Sequence, residues 1–297
     1  ARPEDVLVTR GSQMALDLAA RALLQPGDIV AVENPGYRYA WEVFRQHGAK
    51  VVPIPVDEGG LDVEALEALA RRTPIRAVYT TPHHQYPTTV TLTAGRRIAL
   101  LDLAARLRFA IVEDDYDHEF HYDGRPVLPL ASADREGNVV YVGTLAKILA
   151  PGLRLGYLVA PPPLLERIAA QREHVDRCGD HVLESAVAQL LESGVVQRHV
   201  RRARRIYHAR RDFLVRELRT ELPDVLDFAV PGGGLALWAK VGRGVDIAAW
   251  VAGALERGVL IHGAGRYSFD GNAGRYVRLG FAALDETELR QAVRRLK

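Results

Sequence analysis

Along the first half of the chain, short runs of apolar, largely β-branched residues alternate with longer stretches whose apolar positions recur every three or four residues. The short runs predict strands at 6–9, 29–33, 50–56, 77–81, 109–114, 139–143 and 155–159. The amphipathic stretches predict helices at 13–24, 39–47, 62–72 and 93–107, and Pro26-Gly27 and Gly48 stand where the first two should stop. Strands separated by helices imply a mostly parallel sheet with helices packed on it, an α/β fold. After Pro161-Pro162-Pro163 the pattern changes to consecutive helices. The longest lies near 195–221, where Val196, Val200, Ala203, Tyr207, Leu214 and Leu218 recur at helical spacing. Strands near 226–230, 235–241, 259–262 and 275–282 then surround helices near 246–257 and 285–296. The expected organisation is a large unit over 1–194, then a linking helix and a smaller α+β domain over 195–297.

Composition narrows the class without naming it. A chain of 297 residues that is 48% hydrophobic can bury a large core. Its 39 basic residues nearly balance its 37 acidic ones, so a polyanionic partner would have to be met by a local cluster. Arg201, Arg202, Arg204, Arg205, Arg210 and Arg211 on the long helix form such a cluster, which reads either as a contact for DNA backbone or as a solvated helix face. The lone Cys178 excludes an intrachain disulfide and a Cys-rich metal site, and no metal is expected. No apolar run approaches the roughly 20 residues of a membrane helix, and the start, Ala1-Arg2-Pro3-Glu4-Asp5, lacks a signal-peptide pattern. A soluble, cytoplasmic protein is expected. Val6-Leu7-Val8-Thr9 already reads as a core strand with no initiator methionine or helix ahead of it, which suggests a piece of a longer protein.

The candidate chemistry gathers at strand ends. Tyr141-Val142-Gly143-Thr144 leads to Leu145-Ala146-Lys147, and Arg154 follows on the way into the next strand. Open α/β sheets bind ligands at the carboxyl ends of their strands. The apolar neighbours of Lys147 would desolvate its amine and make it a nucleophile towards an aldehyde. Ile111-Val112-Glu113-Asp114-Asp115-Tyr116-Asp117 ends another strand in carboxylates and a phenol. An acid such as Asp114 suits a pyridine nitrogen, since a protonated ring is an electron sink, and Tyr116 could bond a ring hydroxyl. Thr9-Arg10-Gly11-Ser12-Gln13 is a strand-to-helix turn with Ser12 at the expected N-cap, a place where free N–H groups and the helix dipole hold a phosphate. Glu33-Asn34-Pro35-Gly36-Tyr37 and Thr81-Pro82-His83-His84-Gln85-Tyr86-Pro87-Thr88 are turns on the same edge, and Tyr37 offers an aromatic face for a flat heterocycle. The two histidines have no companion ligands at metal spacing. Finally, Arg278 lies in an apolar strand, on one face with Tyr276 and Gly280, where a guanidinium suits a substrate carboxylate. Each segment alone is also compatible with an ordinary turn or surface.

In this order the segments resemble fold-type I aminotransferases, and more narrowly the aminotransferase-like domain of MocR-type regulators of the GntR superfamily. The narrower likeness rests on Glu113-Asp114-Asp115-Tyr116-Asp117-His118-Glu119-Phe120, on Tyr122-Asp123-Gly124-Arg125-Pro126, and on His84-Gln85-Tyr86-Pro87-Thr88, where most aminotransferases have asparagine before the proline. The resemblance implies pyridoxal 5'-phosphate as cofactor. It implies that Lys147 forms the Schiff base, Asp114 meets the pyridine nitrogen, Tyr116 meets the ring oxygen and Tyr37 stacks on the ring. Ser12, Gln13 and Arg154 would hold the phosphate, Gly11 and Thr144 would also belong to the cofactor site, His84 or Gln85 would stand near the ring hydroxyl, and Arg278 would clamp an α-carboxylate. The family usually has serine at Ala146, and losing that hydroxyl costs roughly 1.5–3 kcal/mol of phosphate binding. It usually has glycine at Thr89, so the turn there is expected to be reshaped, because a β-branched residue avoids positive φ.

Two functions fit. One is the effector-sensing half of a transcription factor, binding an amino acid or amine through an external aldimine, with a winged-helix DNA-binding domain N-terminal to this chain. The other is a free-standing aminotransferase that moves an amino group between an amino acid and a 2-oxo acid, with Lys147 as Schiff-base partner and proton shuttle. The resemblance also implies a homodimer. The effector is open among a small amino acid, a polyamine-like compound and the cofactor itself.

Overall fold

In a computed structural model of the chain, which describes residues 2–124, 127–272 and 274–297, the alternating pattern becomes one large sheet and one small one. The large sheet comprises β1 (Val6–Thr9), β2 (Ile29–Asn34), β3 (Lys50–Asp57), β4 (Gly60–Leu61), β5 (Ala77–Thr80), β6 (Ala110–Asp115), β7 (Val139–Thr144) and β8 (Gly156–Val159). Its order is β1-β8-β7-β6-β5-β2-β3-β4. The pairings β7–β6, β6–β5, β5–β2 and β2–β3 are parallel, whereas β8 runs antiparallel to both β7 and β1. Two reversals restore direction, so β1 points the same way as β7. The carboxyl ends of β1, β2, β5, β6 and β7 therefore open on one edge.

Helices α1 (Ser12–Leu23), α2 (Arg38–Gln46), α3 (Val63–Ala70), α4 (Ala94–Leu107), α5 (Leu130–Ala133) and α6 (Pro162–Glu173) cover the sheet. Strands flanked by helices must be apolar on both faces, and β5 and β7 are buried at every position. One apolar cluster joins α1 and α2 to Val30, Val32, Tyr79, Val112 and Val142, while another packs Leu66, Leu100, Leu103 and Phe109 against Ala31, Val78 and Ile111. After α7 (His181–Glu192), the helix α8 (Val195–Glu221) leads to a small antiparallel sheet of β9 (Leu226–Asp227), β10 (Ala236–Val241), β11 (His262–Gly263) and β12 (Tyr276–Gly280), in the order β11-β12-β10-β9. With α9 (Ile247–Glu256) and α10 (Glu286–Arg295) it forms a further core around Leu214, Leu218, Leu237, Val277, Phe281 and Leu289.

Four expectations are corrected. β1 is an edge strand rather than a core one, with Val6 36% exposed, and a short 3-10 turn at Pro3–Asp5 precedes it. β9 stops at Asp227 and β11 shifts to His262–Gly263, because each pairs at its end with only two residues of a neighbour. Ser12 is the first residue of α1, and the N-cap is Gly11 at φ 81°, a conformation open to glycine at little cost. Thr89 takes φ 64° and bonds back to the Gln85 carbonyl, so the turn keeps its left-handed residue despite the branched side chain. That conformation costs about 1–2 kcal/mol outside glycine. Arg125 and Pro126 of the quoted signature, and Ala1, lie outside the described residues.

Candidate functional site

Where the strand ends converge, a cleft of about 670 Å³ opens between the two sheets. Ser12 reaches it from the start of α1, Tyr37 from the turn after β2, and Thr81 and Tyr86 from the turn after β5. Asp114 and Tyr116 arrive from the end of β6, Thr144 and Lys147 from the end of β7, and Arg154 from the lead into β8. The small sheet contributes Arg278 and Gly280 of β12.

Asp114 is the most constrained of these groups. The Tyr79 hydroxyl donates to its Oδ2 at 2.7 Å, while its Oδ1 is buried and has no partner among the described residues. Loss of water pushes the carboxyl up to about 7, opposed by the Tyr79 hydrogen bond and reinforced by Asp115. An unmatched buried acceptor is costly, and a ligand carrying an N–H cation would satisfy it.

At the other end, Gly11 has no side chain where Arg154 needs room, because a Cβ there would lie 2.8 Å from Arg154 Nη2. Gly156 serves the same packing, since its Cβ would meet the Gly11 Cα at 2.9 Å. Arg154 itself adopts φ 48°. The first turn of α1, its unpaired N–H groups and this guanidinium thus face one end of the cleft, an arrangement suited to a phosphate. Thr144 Oγ1 accepts from the Ala146 N–H at 3.1 Å. Gln13 is not a lining residue: its Nε2 donates to the Tyr39 carbonyl at 3.4 Å and its buried Oε1 is unpartnered.

Lys147 is exposed at the lip of the cleft, not enclosed by the apolar residues around it in sequence. The Tyr116 hydroxyl lines the cleft and donates to the His84 carbonyl at 2.8 Å. Burial raises the Tyr116 phenol well above its usual range. His84 and Gln85 do not reach the cleft. His84 Nδ1 lies 2.7 Å from Asp117, and the ring fills the space over Gly233. The Gln85 amide donates to Glu33, Pro35 and Tyr86 and accepts from Thr88, so it is spent within its own loop.

Three tyrosines that line the cleft, Tyr79, Tyr86 and Tyr207, are not among the residues the sequence singles out for the site, and Tyr207 reads there only as an apolar position of α8. Tyr79 holds Asp114 from mid-strand, where a phenol reads as core. Strand parity carries the signal, since Tyr79 pairs with Val112 and Asp114 lies two residues further along the same face. Tyr86 packs edge-on against Tyr37, ring centroids 5.4 Å apart, and the Arg278 guanidinium lies 4.9 Å from its centroid. Arg278 Nε is buried without a partner, and no acidic side chain forms an ion pair with this residue among those described.

A family model for aminotransferase class I and II matches residues 1–296. The chain belongs to that family. It is 34% identical to aromatic-amino-acid aminotransferase 1 of Thermococcus litoralis, covering 98% of this chain and 71% of that protein. It is 36% identical to the HTH-type transcriptional regulator TauR of Rhodobacter capsulatus, covering 100% of this chain and 60% of the regulator. Among solved structures, LysN, the alpha-aminoadipate aminotransferase of Thermus thermophilus complexed with N-(5'-phosphopyridoxyl)-L-leucine, superposes with a TM-score of 0.93 at 31% identity. That match covers 100% of this chain and 77% of the other. Regulators and enzymes of this aminotransferase family thus share one domain, and the chain spans about three-fifths of the regulator. No helix among the described residues is long and apolar enough to cross a membrane.

Proposed function

We propose that this domain binds pyridoxal phosphate, takes up an amino acid or related amine at Lys147, and serves as the sensing half of a transcriptional regulator. The observation that carries the cofactor reading is the unmatched Oδ1 of Asp114, a buried acceptor in the cleft that also holds Lys147 and Arg154. Bound there, pyridoxal phosphate supplies an aldehyde for a primary amine and a ring that draws electrons from it. Asp114 would hold a proton on the ring nitrogen, Tyr37 would offer its face to the ring, and Tyr116 would meet the ring oxygen once its hydroxyl turns from the His84 carbonyl. Gly11, Ser12, Thr144 and Arg154 bind the phosphate, with Gln13 behind them. Lys147 would provide the primary amine that fixes the aldehyde, and its free amine could carry a proton at the same place. Arg278 holds the ligand's α-carboxylate from the small domain, 195–297, against the large domain, 1–194. His84 and Gln85 shape the loop that positions Tyr86.

The observation favouring a regulator is on α8. Arg198, Arg201, Arg202 and Arg205 stand at i, i+3, i+4 and i+7, exposed, while Val196, Ala203, Leu214 and Leu218 on the other side are buried. Of the arginines that the sequence groups on this helix, Arg210 is half-buried and donates to the Ala282 carbonyl and Arg211 is buried against Asp123 and Asp212, so neither joins the stripe; from Val195 to Ala209 there are five arginines and no Asp or Glu. Such a stripe suits a DNA backbone, with base-specific contacts left to a winged-helix segment N-terminal to this chain and two chains acting as a homodimer. Anisotropy with a random-sequence duplex tests this. Binding should weaken with salt at a log–log slope of about −3.6 for four phosphate contacts, and Gln at all four arginines should abolish the slope. Absence of any binding at low salt would remove the support. The second reading, a free-standing aminotransferase, is favoured by the closeness to LysN over the whole chain. A half-reaction with a panel of amino acids decides between them, since rapid, selective release of 2-oxo acid would make the domain an enzyme.

A further inference from the structure

Beside the cleft lies a second cavity of about 350 Å³, whose walls include Tyr39, Tyr267, Arg38 and Arg266. Tyr37 and Tyr86 line both spaces, so the two cavities share a wall. Arg278 stands over the Tyr86 ring at 4.9 Å, and the Tyr267 ring meets the same ring edge-on at 5.5 Å. A ligand whose α-carboxylate lies at Arg278 therefore meets Tyr86 next, and the second cavity adjoins it there.

The charge in this cavity is not balanced. Arg266 is exposed and forms no ion pair or side-chain hydrogen bond among the described residues. The carboxylate nearest Arg38 is Glu42 at 3.9 Å, and Glu42 is already bonded to Arg45 at 2.7 Å. Two guanidiniums thus face a single carboxylate held by a third. Burial, then Arg266 and then Arg278 hold the His262 imidazole below its usual range, so the two arginines act on one small region. The remaining walls are phenols, which donate hydrogen bonds and pack against an alkyl stem.

We propose that this cavity is a subsite for an anionic group on the ligand's side chain. The ligand is then an amino acid with a second acid, a carboxylate, sulfonate or phosphonate, at the far end of its side chain, and Arg266 is its principal contact. The inference rests on the cofactor reading above, which sets where the amine and α-carboxylate lie.

The test titrates the cofactor-loaded protein with L-glutamate against L-glutamine, and with L-homocysteate and 2-amino-4-phosphonobutyrate. Perturbation of the cofactor absorption band is followed, with calorimetry as a second readout. The acidic ligands should bind at least about tenfold more tightly than glutamine, the scale of one added charge-assisted hydrogen bond. The order among the three acids identifies the preferred group. Arg266→Gln should erase the preference while leaving glutamine binding and cofactor loading unchanged, and Arg38→Gln should reduce it. Equal binding of glutamate and glutamine, or a preference that survives Arg266→Gln, overturns the subsite alone. If no amino acid perturbs the band of the loaded protein, both the subsite and the amine-binding reading fall.

Discussion

Asp114→Asn replaces one carboxylate oxygen by an amide and should change the stability of the cofactor-free protein with a sign that depends on pH. The Asp114 carboxyl stands at about 7 in the folded chain against 3.8 for the free group. Between those values the folded state keeps a proton that the unfolded state releases, so stability falls as pH rises from about 4 to 7 and levels off above. The shift of roughly three units corresponds to at most about 4 kcal/mol. Asparagine still accepts from Tyr79, but its buried amide N–H groups lose water without a partner, costing about 1–3 kcal/mol at every pH. The variant should therefore be less stable than the parent by about 1–3 kcal/mol near pH 4 and more stable by a similar amount near pH 8. Urea unfolding of both cofactor-free proteins across that range measures the difference. Glu33 and Glu113 are also buried and raised, Glu113 to about 7, but they are common to both proteins and cancel. Adding pyridoxal phosphate at pH 8 should reverse the order, because only the carboxylate can hold a protonated ring nitrogen. Parallel stability curves from pH 4 to 8 would refute the reasoning.

Three further outcomes follow from the same geometry. Gly11→Ala puts a methyl group 2.8 Å from Arg154 Nη2 at φ 81° and ψ 169°, a region almost confined to glycine, so it should cost about 1–3 kcal/mol in unfolding and weaken cofactor binding by moving that guanidinium. Tyr79→Phe leaves both Asp114 oxygens unpartnered and should cost about 1–3 kcal/mol near pH 8, with a smaller loss near pH 5 where the acid is protonated. Arg278→Gln should leave cofactor loading intact and weaken amino-acid binding about 10- to 150-fold, whereas the corresponding decarboxylated amines should bind unchanged, as read by titrating the cofactor band.

Much of this was legible because period and chemistry coincide. Helix α8 runs over the span its apolar spacing predicts, with Val196, Ala203, Leu214 and Leu218 all buried. The strand ends that carry Asp114 and Lys147 fall on one edge because β6 and β7 are parallel neighbours. What sequence could not supply was the direction of side chains in irregular loops. His84 and Gln85 sit in a turn where neither strand nor helix periodicity applies, and their polar atoms are claimed by Asp117 and by the loop backbone. Tyr79 looks like core in a strand buried along its whole length, and only the register with β6 reveals its hydroxyl. The exposure of Lys147 depends on the turn after β7, which its apolar neighbours do not describe.

The central claim is that one primary amine, that of Lys147, holds the cofactor. The chain has four lysines, Lys50, Lys147, Lys240 and Lys297, so the claim can be tested by covalent trapping. Protein loaded with pyridoxal phosphate should show a visible absorption band that borohydride bleaches, and peptide mapping should then find the added mass on Lys147, with Lys147→Arg showing neither band nor adduct. An adduct on another lysine, or a band unchanged in Lys147→Arg, would contradict the account.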